Sequence, residues 1–174
     1  NNIMIYDNFK TIDTFILDVD DVLTTGKVLA QDDGALTRDF NIKDGFAIQF
    51  AVKQNYRLII ISGGSSEGVR SRLKTLGIKE IYTGVSDKKN LFEELIKKHN
   101  LDLTKTLYMG DDFPDISSMR MCGVKTCPAD AAWQVQQEAD IITKANGGHG
   151  AAREIIEKVL TLQTKWESTD HSVW

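Results

Sequence analysis

Chemically reactive side chains stand directly after short apolar segments of this sequence. They are Asp18 and Asp20 after residues 15–17, Ser62 and Gly63 after residues 58–61, and Asp111, Asp112 and Asp115 after residues 106–109. Lys88 opens a segment of helical periodicity. Open α/β sheets bind ligands beyond the carboxyl ends of their strands, so these residues are the candidates for a functional site.

The first candidates are the pair Asp18 and Asp20. Two residues apart in an extended segment, they are expected to project to the same side. One carboxylate can attack phosphorus to give an aspartyl-phosphate, while the other protonates an alkoxide leaving group. The same pattern after a strand is typical of a turn or a helix cap, and the pair alone does not decide between the two.

Asp111, Asp112 and Asp115 predict a cation site. Two like charges about 4 Å apart cost on the order of 4 kcal/mol at an effective dielectric constant of 20, so clustered carboxylates need a counter-ion. Carboxylate oxygens with no nearby His or Cys favour Mg²⁺ over zinc. Asp112 or Asp115 is also suited to cap the helix expected near residue 115.

Ser62 and Lys88 predict a phosphate site. Ser62 and the two glycines after it offer a hydroxyl and backbone N–H donors ahead of a helix. Lys88 offers the positive charge that phosphoryl transfer requires. Each feature alone is common, because Ser/Gly segments form turns and a lysine at a helix start is usually solvated.

The elements that would position these residues alternate in type. The predicted strands are 15–19, 58–61, 80–82, 106–109, 124–126 and 141–143. The predicted helices are 44–54, 67–76, 88–99, 115–121, 131–138 and 151–160. This alternation predicts an α/β fold, a Rossmann-like parallel sheet with helices on both faces. Residues 27–40, with a turn at residues 31–34, predict an inserted β-hairpin.

Length, charge and cysteine content narrow the class of protein. The chain has 174 residues and a net charge of −4, so we expect one domain to about residue 162 and no attraction to nucleic acid. No apolar segment approaches the roughly 20 residues that cross a bilayer. Two cysteines are too few for a disulfide framework, and a reducing cytoplasm is expected. We expect the polar segment 163–174 to be poorly ordered.

The order of these motifs resembles the four motifs of the haloacid dehalogenase superfamily of phosphotransferases, over residues 15 to about 160. Three features resemble one family within it, the 3-deoxy-D-manno-octulosonate 8-phosphate phosphatases. They are the hairpin in place of a cap domain, Phe40-Asn41-Ile42-Lys43-Asp44-Gly45, and Gly147-Gly148-His149-Gly150-Ala151-Ala152-Arg153-Glu154.

The resemblance implies a role for each motif residue. Asp18 would be the nucleophile and Asp20 the general acid/base, while Ser62, Gly63 and Lys88 would hold the phosphate. Mg²⁺ would be bound by the Asp18 carboxylate, the Asp20 carbonyl and Asp111, with Asp112 and Asp115 as further ligands or supports. The substrate would be a phosphorylated 2-keto-3-deoxy sugar acid. The family also implies a homotetramer joined through the hairpins, with the glycine-rich C-terminal segment reaching a neighbouring subunit's site.

Two positions depart from the family pattern. Asp21 stands where family members usually carry Gly, and Gly64 stands where they usually carry an Arg suited to the substrate's carboxylate. Losing that guanidinium would alter recognition and leave the phosphoryl chemistry unchanged. The remaining candidates for the positive charge are Arg38, Lys43, Arg70 and His149.

Three other functions stay open at this point. One is a phosphatase for a nine-carbon sugar-acid 9-phosphate, which the absence of Arg at position 64 keeps open. Another is a scaffold with little catalysis, suggested by Asp21 and Gly64 together. A third is a receiver-type signalling domain, but receivers carry an acidic pair on the first strand and the phosphate acceptor on a middle strand. Here the Asp-x-Asp motif comes first and Gly110-Asp111-Asp112 comes late.

Overall fold

Strands and helices alternate along the chain in the computed structural model, which describes residues 2–167. The strands are β1 (Thr14–Leu17), β2 (Leu29–Ala30), β3 (Leu36–Thr37), β4 (Arg57–Ile61), β5 (Glu80–Tyr82), β6 (Thr106–Met109), β7 (Val124–Cys127) and β8 (Ile141–Ile142). The helices are α1 (Asn2–Phe9), α2 (Ile42–Lys53), α3 (Glu67–Thr75), α4 (Lys88–His99), α5 (Phe113–Met119), α6 (Trp133–Glu138) and α7 (Ala151–Leu162). A 3₁₀ helix, Leu103–Lys105, precedes β6.

Six strands form one parallel sheet in the order β5-β4-β1-β6-β7-β8. β1 lies at the centre, where Leu17 is in register with Ile60 of β4 and Met109 of β6. The carboxyl ends of these three strands therefore meet at one edge of the sheet, as the predicted α/β fold requires. The loops after β1, β4 and β6 carry the candidate residues to this edge.

Both faces of the sheet are covered because successive strand side chains point to opposite sides. Phe15 and Leu17 of β1 pack into one core with residues of α1, α2, α3 and α7. Ile16 points to the other core, with residues of α4, α5 and α6. The predicted covering on both faces is confirmed. In the described part of the chain, no helix is both long and apolar enough to cross a membrane.

The inserted hairpin is present and forms a separate two-stranded sheet. β2 and β3 pair antiparallel, with Leu29 opposite Thr37, and Gly34 takes a left-handed conformation in the turn (φ +86°). The apolar side chains of Leu29 and Leu36 are exposed. In the part of the chain that the structure describes, 11 residues without a helix or strand separate β1 from the hairpin strand Leu29–Ala30, so no domain is inserted between them.

Two residues that follow α7, Gln163 and Trp166, contact other parts of the chain. The Gln163 side-chain amide donates to the carbonyl of Phe9 over 2.8 Å. Trp166 packs edge-on against Phe50, with 5.1 Å between ring centroids. These contacts join the two side chains to α1 and α2, and the poor order expected of the tail stays a prediction. Residues 168–174 of the predicted tail lie outside the described residues.

Candidate active site

The chain turns sharply after β1, and this turn presents the aspartate pair. The Asp18 N–H donates to the Met109 carbonyl over 3.1 Å, which extends the pairing of β1 with β6. The N–H groups of Val22 and Leu23 then both donate to the Val19 carbonyl. Asp20 therefore lies in a turn, and the expectation that it shares an extended segment with Asp18 is wrong. The chain turns here because the Val19 carbonyl accepts these backbone hydrogen bonds.

A buried lysine lies between two buried carboxylates. Lys88 Nζ is 2.6 Å from Asp18 Oδ2 and 2.8 Å from Asp115 Oδ1. Lys88 is the first residue of α4, and Asp87 caps that helix by accepting from the Asn90 N–H. The capped helix start fixes where the lysine backbone stands, so its side chain spans from α4 to the end of β1.

Asp115 is the best-held carboxylate of the site. Besides Lys88, it accepts from the Tyr108 hydroxyl over 2.8 Å and from the Asp111 N–H over 3.2 Å. Gly110 leaves no room for a Cβ, because Asp115 packs directly against it. Tyr108 is not among the residues that the sequence predicts for the site. Its one signal in the sequence was a phenol hydroxyl inside a predicted strand.

The acidic side chains Asp18, Asp111 and Asp115 meet at the ends of β1 and β6. Each offers one oxygen, and these oxygens lie within 4.8 Å of one another. Burial, then the charge of Asp115, raises the pKa of Asp18 from 3.8 to about 7, although Lys88 opposes the shift. Burial and the charges of Asp18 and Asp115 raise the pKa of Asp111 to about 8.

The same carboxylates also shift the pKa of Lys88. Burial alone would lower the pKa of Lys88, but Asp18 and Asp115 outweigh it and the pKa is raised. One ammonium nevertheless leaves the three carboxylates Asp18, Asp111 and Asp115 with excess negative charge. Hard oxygen donors in this state fit a divalent cation such as Mg²⁺.

Asp112 takes the other role that the sequence left open. Its carboxylate accepts from the Phe113 N–H over 2.8 Å, and it is the N-cap residue of α5. Asp112 is exposed, whereas Asp115 one turn later is fully buried. The structure therefore brings Asp115 to the acidic cluster and gives Asp112 a capping role.

We expect the metal-free protein to lose stability as the pH rises from 6 to 9. In the folded state the pKa of Asp18 is about 7 and that of Asp111 is about 8, whereas an aspartate in the unfolded chain has its ordinary pKa of 3.8. The folded state therefore binds more protons than the unfolded chain in this range, so the free energy of unfolding falls with rising pH. Thermal unfolding in EDTA should show a fall in Tm of roughly 5 °C. Added Mg²⁺ should remove most of this fall, and an equal fall in Mg²⁺ and EDTA would contradict the prediction.

The loop after β4 brings Ser62 to the same edge of the sheet. Ser62 is buried, and its N–H donates to the Tyr82 carbonyl while its own carbonyl accepts from the Val85 N–H. Gly63 follows it and is exposed. Ser66 caps α3 by accepting from the Val69 N–H, so the loop leads directly into a helix N-terminus. A loop that leads into a helix N-terminus in this way is able to bind an anion.

Asp20 is held by the hairpin. Arg38 Nε lies 2.5 Å from Asp20 Oδ1, and Arg38 Nη2 lies 3.2 Å from Asp20 Oδ2. Gly64 stands beside both side chains. The guanidinium of Arg38, one of the candidate cations for the substrate's carboxylate, is therefore paired with Asp20, and its role in substrate binding stays a prediction.

Asp21 occupies a backbone conformation that suits glycine. Its φ is +56°, in the left-handed region where a Cβ is disfavoured. Burial, followed by the charges of Asp130, Asp112 and Asp20, raises the pKa of Asp21 to about 6. The departure from the family pattern therefore adds both backbone strain and a partly buried negative charge.

Asp21→Gly is expected to stabilise the protein by about 0.5–1 kcal/mol, because glycine adopts a positive φ without strain. Asp21→Ala is the control, since it removes the same charge but keeps the strained backbone. Urea unfolding should give a higher midpoint for the glycine variant at an unchanged m-value. An equal gain from alanine would assign the cost to the charge of Asp21 and contradict the strain account.

The glycine-rich segment after β8 is held by its own chain. The Gly148 N–H donates to the Val22 carbonyl over 3.0 Å, and the Gly147 N–H donates to Asp130 Oδ1 over 2.9 Å. A Cβ at Gly147 would overlap the backbone oxygen of Asp21. This segment therefore supports the turn after β1. That the segment reaches a neighbouring subunit stays a prediction.

The two family-specific motifs contact each other. Asp44 is buried and accepts from the N–H groups of Arg153 (2.8 Å) and Gly150 (3.3 Å). Asn41 caps α2 and also donates from its side chain to the Gly148 carbonyl over 3.3 Å. The first motif thus fixes the start of α7 and the glycine segment.

The other predicted substrate-binding residues are held differently. Lys43 is exposed in the first turn of α2. Arg70 donates to the Ile81 carbonyl and to the Thr83 hydroxyl, which gives its guanidinium a structural role between α3 and the end of β5. His149 is exposed, with Nδ1 2.8 Å from the Gly147 carbonyl. A role in substrate binding stays a prediction for all three.

The chain is similar to known proteins over most of its length. Residues 77–155 match a family model described as haloacid dehalogenase-like hydrolase. The 3-deoxy-D-manno-octulosonate 8-phosphate phosphatase KdsC of Salmonella typhi is 35% identical over 156 residues, covering 90% of this chain and 83% of that one. The protein of the same name from Haemophilus influenzae is 31% identical, covering 90% and 87%.

Solved structures agree with this similarity. The 3-deoxy-D-manno-octulosonate 8-phosphate phosphatase from Moraxella catarrhalis, solved with a magnesium ion, a phosphate ion and a KDO molecule, superposes with a TM-score of 0.91. It is 34% identical, and the match covers 95% of each chain. The corresponding phosphatase from Yersinia pestis has a TM-score of 0.91 at 30% identity, covering 94% and 89%.

Proposed function

Because this chain belongs to the 3-deoxy-D-manno-octulosonate 8-phosphate phosphatase family of haloacid dehalogenase-like hydrolases, we propose that it hydrolyses a phosphorylated 2-keto-3-deoxy sugar acid of that type. The reaction would need Mg²⁺ and would proceed through an aspartyl-phosphate. The observation that carries the proposal is the buried group in which Lys88 spans Asp18 and Asp115 beside Asp111. Phosphoryl transfer needs a nucleophile, a cation site and a fixed positive charge together.

The residues that would hold Mg²⁺ are the Asp18 carboxylate, the backbone carbonyl of Asp20 and Asp111. Asp115, which already accepts from Lys88, Tyr108 and the Asp111 N–H, would orient the lysine and the Asp111 backbone. Bound Mg²⁺ would supply charge to offset the carboxylates and the phosphoryl oxygens. A magnesium ion is present in the related Moraxella catarrhalis structure, which supports this assignment.

Asp18 would act as the nucleophile. One of its oxygens attacks phosphorus, the bond from phosphorus to the sugar oxygen breaks, and the sugar leaves as an alcohol once protonated. Its Oδ2 lies 2.6 Å from Lys88, and its Oδ1 accepts from the Val19 N–H over 2.6 Å. These contacts fix the carboxylate plane and favour its ionised, attacking form.

Asp20 would handle the protons. It gives a proton to the leaving sugar oxygen in the first step, and in the second it takes a proton from the water that attacks phosphorus. Water attack releases inorganic phosphate and restores the Asp18 carboxylate. The Asp20 side chain is 40% exposed, so it has access to water and to a bound substrate.

Ser62, Gly63 and Lys88 would bind the phosphoryl oxygens. Ser62 contributes its hydroxyl, Gly63 its backbone N–H, and Lys88 its ammonium. The loop after β4 and the start of α4 lie at adjacent strands' ends, which supports a shared phosphate site. Donors fixed before the reaction stabilise charge that develops on the oxygens.

Steady-state phosphate release from a panel of eight- and nine-carbon sugar-acid phosphates tests this function. We expect turnover of the eight-carbon 8-phosphate in Mg²⁺ and loss of turnover in EDTA. Preference for a nine-carbon 9-phosphate would replace the substrate but keep the reaction, an outcome that Gly64 in place of Arg keeps open. If the folded protein releases phosphate from no member of the panel, the result would contradict the proposal and favour the hypothesis of a scaffold with little catalysis.

We further propose a homotetramer joined through the hairpins. Leu29 is 69% exposed on β2, and Val28 and Leu36 beside it are also exposed. Apolar side chains projecting from a hairpin are typical of an interface between subunits. Light scattering coupled to size exclusion should give four times the chain mass of 19.5 kDa, and a monomer mass would contradict this assembly.

A further inference from the structure

Arg38 reaches from the end of β3 to the turn that carries Asp20. Its Nε and Nη2 contact the two Asp20 oxygens at 2.5 and 3.2 Å, and its Nη1 donates to the Leu36 carbonyl over 3.2 Å. A planar guanidinium bound at two points fixes both the position and the rotation of a carboxylate. The Arg38 side chain is only 7% exposed, so this pair differs from a solvated surface ion pair.

Gly64 provides the space for this pair. A Cβ built at Gly64 would lie 3.0 Å from Asp20 Oδ2 and 3.1 Å from Arg38 Nη2. Gly64 is not among the glycines with a positive φ, so its backbone would accept a side chain. Packing against Asp20 and Arg38, rather than backbone conformation, therefore explains the glycine.

We propose that Arg38 is the positioning residue for Asp20, and that Gly64 is the small residue this arrangement requires. The inference rests on the proposed function, in which Asp20 protonates the leaving oxygen. A proton donor is effective only within hydrogen-bond reach of that oxygen, and a half-exposed aspartate in a turn has several rotamers available. Arg38 selects one of them, so the hairpin completes the catalytic site of its own chain.

Phosphate esters with different leaving groups distinguish the positioning of Asp20 from a structural role or a substrate-binding role of Arg38. An alkoxide must be protonated as it leaves, phenolate needs less assistance, and p-nitrophenolate leaves as a stable anion. Loss of Asp20 positioning should therefore lower kcat/KM in proportion to leaving-group basicity. For Arg38→Ala we expect a loss of about 50-fold with a sugar-acid phosphate, about 10-fold with phenyl phosphate and under about threefold with p-nitrophenyl phosphate.

The variant Gly64→Ala tests whether the contact between Arg38 and Asp20 requires a small residue at position 64. It should show the same ranking of losses among the three esters, each smaller than in Arg38→Ala, because the added methyl group would press on the ends of both side chains and shift their contact. In the Arg38→Ala background, Gly64→Ala should add less than about threefold, since the contact it disturbs is already gone. Arg38→Lys should recover part of the activity, because it keeps the charge but not the two-point contact.

The matched control is Arg120→Ala. Arg120 also makes a two-point contact with a carboxylate, that of Glu138, but at an exposed surface position. It should leave kcat/KM unchanged for all three esters. Melting temperatures of all variants would identify any loss of folded protein.

Two outcomes would overturn the role of Arg38 in an active parent protein. Equal losses with all three esters would indicate a general structural role. A loss confined to the sugar acid, with phenyl and p-nitrophenyl phosphate unaffected, would mean that Arg38 binds the substrate's carboxylate instead. A parent that hydrolyses none of the three esters would contradict the proposed function itself, so the two failures are distinguishable.

Discussion

Asp18→Asn is expected to lower phosphate release by at least about 10⁴-fold without loss of folded structure. Removal of a catalytic nucleophile costs rates of this order, because no second group supplies the attacking atom. Asparagine has nearly the same shape, so it can keep the hydrogen bond from the Val19 N–H. Burial raises the pKa of Asp18 to about 7, so above that pH the ionised, buried carboxylate lowers the stability of the folded protein.

The variant should therefore be at least as stable as the parent at pH 8 in EDTA, since a neutral amide replaces a buried charge and Lys88 keeps Asp115 as its partner. Inactivity combined with undiminished stability distinguishes a nucleophile from a structural carboxylate. Asp7→Asn, at an exposed position in α1, is the control and should retain full activity. Retention of more than about one hundredth of the parent rate by Asp18→Asn would exclude Asp18 as the nucleophile.

Lys88→Met is expected to reduce both activity and stability. Methionine has a similar length and no charge, so Asp18 and Asp115 would be left buried without their shared partner. Removing one member of a buried ion pair costs about 3–5 kcal/mol. The variant also lacks the positive charge that would stabilise the oxygens of the transferred phosphoryl group. We therefore expect kcat to fall by about 10³-fold.

The stability loss of Lys88→Met should depend on pH. At pH 6 the carboxylates of Asp18 and Asp111 can take up protons, because their pKa values are raised to about 7 and about 8. The loss in the free energy of unfolding should therefore be smaller at pH 6 than at pH 8.5 in EDTA. Lys89→Met changes the next residue of α4, which is exposed, and should alter neither quantity. A Lys88→Met variant as stable as the parent at pH 8.5 would contradict the buried charge balance described above.

Much of the site could be predicted because parallel strands end at one edge of a sheet. Once β1, β4 and β6 are predicted as parallel strands, Asp18, Ser62 and Asp111 are expected at the same edge of the sheet, and the observed order β4-β1-β6 makes them neighbours. Lys88 could be predicted for a similar reason, since the segment Lys88–His99 has clear helical periodicity and the structure begins the helix at that residue. These residues follow from local pattern and topology alone.

The contacts that could not be predicted join residues distant in sequence. Arg38 meets Asp20 only when the hairpin folds back over the turn after β1, and Gly64 is needed only because both are there. Asp112 and Asp115 looked alike in sequence. The start of α5 at Phe113 decides that one caps the helix while the other is buried.

The central claim, a phosphoryl group carried on Asp18, is tested most directly by trapping it. The protein would be mixed with substrate and Mg²⁺, quenched in acid within milliseconds and treated with borohydride, which reduces an acyl phosphate to an alcohol. Mass spectrometry of the peptide containing Asp18 should then find homoserine at that position, and no such product in Asp18→Asn or without substrate. Rapid phosphate release with Asp18 unmodified at every quench time, or with homoserine at another aspartate, would contradict the mechanism.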